Sequence, residues 1–376
     1  MRHAVAVRIA YLISWRGGEL TGPFKKMEAQ ARTWCDLGHE VGLFVATDPG
    51  SAPAWNHLDQ AVQVEAIGAG WVRGVLGRRR TYRALERWNP DLIYLRHGVY
   101  SPGLRRLVRR FPTVVEVNGD EVAIARQTSR FKAAWAARTR SLALSEVAGG
   151  VFMTDELATG PSFAPFTFAR IIVPNGIDLA ANPALPPTAD PSPRLVLLGH
   201  PRSPWHGTDK LLGLAQRHPD WSFDVIGPTA ADLGGTAPAN LRLHPELPAD
   251  DYLPLLARAD IGIGSLAMHR VGASQNPALK VREYLARGLP VILGCRDPDF
   301  PDPVDFVLEL PNTPSNVADH DEQIAEFVRA WQGVRVGHDR IAHLDLTAKE
   351  RVRLAFLARF ARPAGVSSGR ATPRGR

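Results

Sequence analysis

SQNPALKVREYLARGLPV, residues 274–291, sits between two strand-like runs, "ADIGIGS" (259–265) and "LPVILG" (289–294). Asn276 suits an N-cap, Pro277 suits the first helical position, and Gly288 followed by Pro290 ends the helix. Ala278, Val281 and Leu285 share an apolar stripe, whereas Lys280, Glu283, Tyr284 and Arg287 follow the other helical spacing. The expectation is a helix that buries one face and presents the other, with charge just behind its first turn.

The same alternation extends outward. Upstream, "RLVLLGH", a helix near Asp209 to Arg217, "SFDVIG", a strand near "LRLHP" and a helix near Asp250 to Arg258 precede the quoted segment. The first half alternates too. "AVAVRIAYLIS" leads through a glycine-rich loop to a helix from about Phe24 to Leu37, then "HEVGLFVAT", with further strands at "DLIYLR", "TVVEVN" and "GGVFMT". Such order predicts parallel sheets covered on both faces. Between the halves, "IIVPNGIDLAANPALPPTADPSP" loses periodicity and reads as an interdomain linker. Two doubly wound α/β domains follow, with the ligand expected where the carboxyl ends of both sheets face each other.

A chain of 376 residues, 45% hydrophobic and 22% charged, is long enough for two domains with a sizeable core. Cys35 and Cys295 make no disulfide framework or metal spacing, which suits a reducing compartment, and the twelve scattered histidines form no ligand pair. Arg8 interrupts the apolar amino-terminal run and no small-residue cleavage site follows, so a buried first strand fits better than a signal peptide. No segment reaches the ~18 uninterrupted apolar residues of a membrane span. A cytoplasmic protein is expected. The excess of positive charge is uneven: residues 73–140 carry sixteen Lys or Arg against five acids, a balance of +11. Interleaved leucine, phenylalanine and tryptophan make this segment a candidate surface for anionic lipid at the inner face of a membrane, or for an acidic acceptor; a solvated arginine-rich face accounts for it equally well. No recognised module accompanies the charge to suggest nucleic acid.

Two loops can hold phosphate. "SWRGGELTGPFKK" joins the first strand to the first helix, where Gly17, Gly18 and Gly22 allow close backbone approach and Pro23 starts the helix. The GGxxxG spacing differs from a dinucleotide fingerprint and also suits an ordinary turn. "GHPRSPWHGTDKLL" follows its strand in the same way, with Arg202 as a potential phosphate fork and His206 or Lys210 as added charge.

Together, "GGELTG", "LGHEV", "VPNGID", "WHGTDK", "ADIGIGS" and above all "LKVREYLARGLPV" resemble glycosyltransferase family 4, retaining enzymes of GT-B fold, over most of the chain. The resemblance implies an acceptor-binding domain over 1–172, a linker over 173–192, a nucleotide-sugar-binding domain over 193–345, a terminal helix over 346–364 packing back on the first domain, and a disordered basic tail over 365–376. It implies that Glu283 binds the donor ribose, and that Gln275, Asn276, Pro277 and Ala278 lie beside the sugar or its phosphate. Gly18, Gly22, Gly199 and His206 complete the donor set. Arg202 and Lys280, with the helix amino end, would stabilise charge on the departing diphosphate. Asn118 and Asp120 fall on the acceptor side. No metal or cofactor is implied.

Four positions depart from the family pattern. Gln275 stands where a first glutamate is common, His200 and His206 replace an Arg and a Lys of the diphosphate clamp, and Asn118 replaces a strand-end His. The expected activity is transfer of a hexosyl group from a nucleoside diphosphate sugar (UDP-sugar or GDP-mannose type) to an acceptor hydroxyl in glycan, glycolipid or natural-product synthesis. A nucleotide-sugar epimerase or hydrolase of the same fold, and a non-catalytic nucleotide-binding member, remain as alternatives.

Overall fold

The computed structural model describes residues 6–14, 22–47, 61–66 and 71–363 of the chain. They form two compact units.

The first unit carries a seven-stranded sheet: β1 (Arg8–Ser14), β2 (Glu40–Thr47), β3 (Ala61–Ala66), β4 (Leu92–Arg96), β5 (Thr113–Val117), β6 (Gly149–Phe152) and β7 (Ala169–Ile172). Their order is β3-β2-β1-β4-β5-β6-β7, and every pairing is parallel. Ile9 through Ile13 of β1 and Leu92 through Leu95 of β4 are buried, as strands covered on both faces must be. The strand order reverses between β1 and β4, which opens a crevice at their carboxyl ends.

The second unit repeats the plan with six strands: β8 (Arg194–Leu198), β9 (Ser222–Ile226), β10 (Leu241–His244), β11 (Ile261–Ile263), β12 (Val291–Leu293) and β13 (Val307–Glu309). The order β10-β9-β8-β11-β12-β13 is again all parallel, and its switch point lies between β8 and β11. One face packs Leu211, Leu214 and Trp221 against the sheet, the other Val281, Tyr284, Leu285 and Leu289. "AVQVEA", "ARII" and "VLE" are strands that the sequence pattern does not disclose, because each adjoins irregular sequence that breaks the alternation of strand and helix.

The units are not consecutive blocks of sequence. Met153–Thr159, expected in the first domain, belongs to the second unit, and residues 350–363 belong to the first. The segment read as a linker is packed rather than free. Val173 and Asn175 are buried, Asn175 donates to the Pro277 carbonyl at 2.7 Å, and Leu185 N–H donates to the Arg287 carbonyl at 3.0 Å. Prolines removed the periodicity of this stretch without removing its contacts. The helix Leu346–Ala358 starts in the second unit, and its Glu350 and Arg353 are buried in the first. Glu350 accepts from Trp34 Nε1 at 2.7 Å, from Gln30 Nε2 at 3.2 Å and from Arg353 Nε at 2.9 Å, while Arg353 Nη1 donates to the Tyr94 hydroxyl at 2.8 Å. The expected tail, residues 365–376, lies outside the described residues.

Candidate functional site

The quoted segment folds as the helix Leu279–Ala286, ended by Gly288 at φ 82° with Leu289 N–H returning to the Tyr284 carbonyl at 2.8 Å. Two expectations about it are corrected. Ala278, not Asn276, is the capping residue, because residues 274–276 pair with Arg296 as an extended segment: Asn276 N–H donates to the Arg296 carbonyl at 2.9 Å. The Asn276 side chain donates instead to Ser265 Oγ at 3.0 Å. Tyr284, assigned to the presented face, is fully buried and its hydroxyl accepts from Leu198 N–H at 2.6 Å, tying the helix to the end of β8.

Lys280 and Glu283 lie one turn apart on this helix, each with a partner from another element. Lys280 Nζ is 3.2 Å from His206 Nδ1. The His200 backbone N–H donates to the other ring nitrogen, Nε2, at 3.3 Å. Burial, with Lys280 and His200 nearby, pushes the His206 pKa down to about 2, so the ring is neutral. A neutral ring that accepts at Nε2 carries its proton on Nδ1 and offers it to Lys280. Burial pushes Lys280 down to about 7, which lets its amine lose a proton and accept that bond.

Glycine makes the histidine's place. A Cβ on Gly199 would come within 2.9 Å of His206 Cδ2, and Gly207, at φ 68°, would put one 2.9 Å from Leu266 Cβ. Glu283 is fixed by Tyr252, whose hydroxyl donates to Oε1 at 2.8 Å. Burial and the carboxylate together raise the tyrosine's pKa, keeping it a donor.

The other predicted donor residues have these places. Arg202 is exposed, at φ 59°, with its backbone N–H on Asp232 Oδ1 at 2.7 Å. Gln275 accepts from Glu156 N–H through Oε1 at 3.2 Å, and Glu156 in turn accepts from the Ser274 and Gln275 amides at 2.9–3.0 Å. Pro277 is buried, its carbonyl taken by Asn175. Gly22 begins the helix Gly22–Asp36, and Gly18 lies outside the described residues. Lys210, considered as a phosphate contact, donates to the Leu266 and Thr313 carbonyls and to Asn316 Oδ1 at 2.6–2.9 Å, so it ties loops together.

In the first unit, Asn118 accepts from Lys26 at 2.9 Å, and its buried Nδ2 has no hydrogen-bond partner among the described residues. Lys26 also pairs with buried Glu116 at 2.9 Å, which Arg96 and the Tyr11 hydroxyl approach at 3.2 and 3.0 Å. These cations hold the Glu116 carboxyl well below its usual range despite its burial. Asp120 serves the backbone: it caps the helix Glu121–Thr128 by accepting from Val122 N–H at 2.9 Å and Ala123 N–H at 3.3 Å, and Ser162 bonds its other oxygen. Beside this cluster, at the switch point of β1 and β4, lies a cavity of about 890 Å³ lined by Ser14, Arg96, His97 and Arg140 among chiefly apolar neighbours. His97 Nε2 is 2.8 Å from Glu121, which Arg140 approaches at 3.0 Å.

Sequence reasoning missed Tyr252, Glu156, His97 and Arg282. His97 directly follows a strand at its carboxyl end, a legible signal. Arg282 offered a weaker one: a guanidinium in a helix whose neighbours are apolar. It is fully buried, with both nitrogens on Asp297 at 2.5 and 2.8 Å, one on Asp299 at 2.8 Å and Nε on the Asn175 carbonyl at 2.8 Å.

No protein-family model and no curated protein matches the chain. Solved structures do. The chain is similar to sucrose-phosphate synthase from Thermosynechococcus elongatus (13% identity, TM-score 0.61, covering 93% of this chain and 96% of that one). It is also similar to a glycosyltransferase from Rickettsia africae ESF-5 (11%, 0.65, 95% and 99%). A third match is Anabaena HepE in complex with UDP and glucose (16%, 0.64, 94% and 100%). Two doubly wound parallel sheets, matched along almost the whole length of these structures, give the chain the GT-B fold.

Proposed function

We propose that the chain is a glycosyltransferase that moves a hexosyl group from a nucleoside diphosphate sugar to an acceptor hydroxyl. The observation that carries the reading is the pairing, on one helix beside the second unit's switch point, of Lys280 against His206 with Glu283 held by Tyr252. An amine that a histidine proton can meet when neutral, and that regains charge next to an anion, suits a diphosphate. A carboxylate fixed one turn away suits a pair of ribose hydroxyls. HepE was crystallised with UDP, which favours a UDP-sugar among the candidate donors.

Charge building on the leaving diphosphate would be met by Lys280 and by Arg202, whose exposed side chain stands on a backbone pinned by Asp232. Retention of configuration and independence from metal ions belong to the proposal through the family resemblance. A site in the cytoplasm, at the inner membrane face, fits the free thiols Cys35 and Cys295 and the basic 73–140 segment. Among the described residues no helix is long and apolar enough to cross a membrane.

One observation favours a second reading, a member that binds nucleotide without turnover. Gln275, where the resemblance places a glutamate, has its carboxamide oxygen engaged by Glu156 N–H. A thermal-shift panel of UDP, GDP, ADP and dTDP and their sugar conjugates, with and without chelator, tests both. A shift with one nucleotide, indifferent to chelator and lost in Glu283→Ala, supports the donor site. Consumption of that sugar conjugate, with the product's anomeric configuration read by NMR, separates transferase from binder.

A further inference from the structure

Among the described residues, the cavity at the first unit's switch point shares none of those assigned to the donor. Leu12, Ile13, Leu95, Leu104 and Leu144 line it, so its walls are largely carbon, and its volume suits an organic body larger than a single sugar. Polar groups enter from the carboxyl ends of β1 and β4, where a hydroxylated head could be hydrogen-bonded.

Two further lining residues, Phe131 and Trp135, come from the helix Arg130–Thr139 and are solvent-exposed, Phe131 to 84%. They are four apart, hence on one side of the helix, while Ala133 and Ala136 are buried. Ile124, on the preceding helix and outside the cavity lining, is 57% exposed, a further bare apolar side chain that the cavity does not account for. Arg126, Arg130, Lys132 and Arg138, on the same two helices, are exposed as well. Aromatic side chains set among cations are what an interfacial helix presents to an anionic bilayer, where rings reach the acyl boundary and cations meet headgroups. A ligand arriving from water would be served by the cavity alone and gains nothing from Ile124.

We propose that this cavity takes the hydrocarbon part of a lipid acceptor, drawn from an anionic membrane on which Ile124, Phe131 and Trp135 rest. The inference rests on the glycosyltransferase reading for the word acceptor, and names its chemical class: a hydroxyl-bearing lipid.

The test is sedimentation of the full chain with phosphatidylcholine vesicles, with and without one quarter phosphatidylglycerol, at low and high salt. UDP titration calorimetry runs on the same preparations. Binding is expected to the anionic vesicles only, weakening about fivefold for each cation neutralised in Arg130→Gln and Lys132→Gln. It should fall at least tenfold in the exposed-site double variant Phe131→Ser, Trp135→Ser, and brominated lipid should quench tryptophan emission less in that variant. Vesicle binding indifferent to the serine pair overturns the proposal. So does absence of vesicle binding while monomeric decyl and dodecyl maltosides bind with about fourfold gain per methylene, which would make the ligand a free amphiphile. UDP binding without vesicle binding removes the lipid and leaves the donor reading, whereas vesicle binding without UDP binding removes the donor reading and with it the acceptor role.

Discussion

Lys280 is a lysine whose ordinary charge has been made conditional. Its pKa near 7 means that the free protein holds it protonated below neutrality and increasingly neutral above. A bound diphosphate favours the charged form and raises that pKa, so binding takes up a proton in the window above about 7. UDP affinity should therefore fall as pH rises from 7, by at most tenfold per unit, and calorimetry in buffers of different ionisation heat should record the uptake. Lys280→Arg, which stays charged, should flatten the profile, and Lys280→Met should weaken UDP by about 1.5 to 3 kcal/mol at pH 7. Glu283→Ala should cost about 2 to 4 kcal/mol of donor affinity if the carboxylate takes two ribose hydroxyls, and Tyr252→Phe about 0.5 to 1.5, since it loosens the carboxylate without removing it. Isothermal titration of folded variants separates these; equal losses for both would mean that the tyrosine, not the carboxylate, meets the ligand. The positions of Lys280 and Glu283 were legible because helical spacing fixes which residues share a turn. Their partners Tyr252 and His206 come from distant elements, and the distinction between Tyr284, which is buried, and Glu283, which is not, depends on where β8 ends.

At the scale of elements, the Leu279–Ala286 helix is anchored by an ion cluster. Arg282 faces Asp297 and Asp299 inside the protein, and removing it strands Asp297 and leaves Asp299 with Lys349 alone. Arg282→Met should destabilise the fold by about 3 to 5 kcal/mol in urea unfolding, far more than loss of an exposed pair, and a loss under 1 kcal/mol would show that water or Lys349 takes over. The strands that could be read in advance were those with long buried runs, such as "RIAYLIS" and "LIYLR". Length alone did not decide it: the short "GGVF", "IGI" and "VIL" were legible from their apolar runs, whereas "AVQVEA", "ARII" and "VLE" adjoin irregular sequence and were not. Capping was misread at Asn276 because the rule ranks residue types, whereas here a parallel bridge to Arg296 claims the asparagine's backbone first. Asp120, expected on the acceptor side, has both oxygens engaged within the protein, one as a cap and one as a tether.

For the whole molecule, the two-sheet plan was readable from alternation alone, but the division of the chain between units was not. Composition marks a proline-rich stretch; it does not reveal that Glu156 secures the Ser274–Gln275 amides or that Glu350 is buried against Trp34. Residues 1–172 produced alone should lack Glu350 and Arg353 and leave Trp34 Nε1, Gln30 and the Tyr94 hydroxyl without those partners. That fragment should unfold with low cooperativity, and adding a separate peptide of residues 346–363 should raise its melting temperature; an unchanged, sharp transition without the peptide would refute this. The threading of the Leu346–Ala358 helix also bears on synthesis in the cell. A ribosome finishes every strand of the first sheet early, yet the residues that close its buried charges emerge only after the whole second unit. The nascent first unit is therefore expected to complete its core only once translation has nearly passed the last described helix.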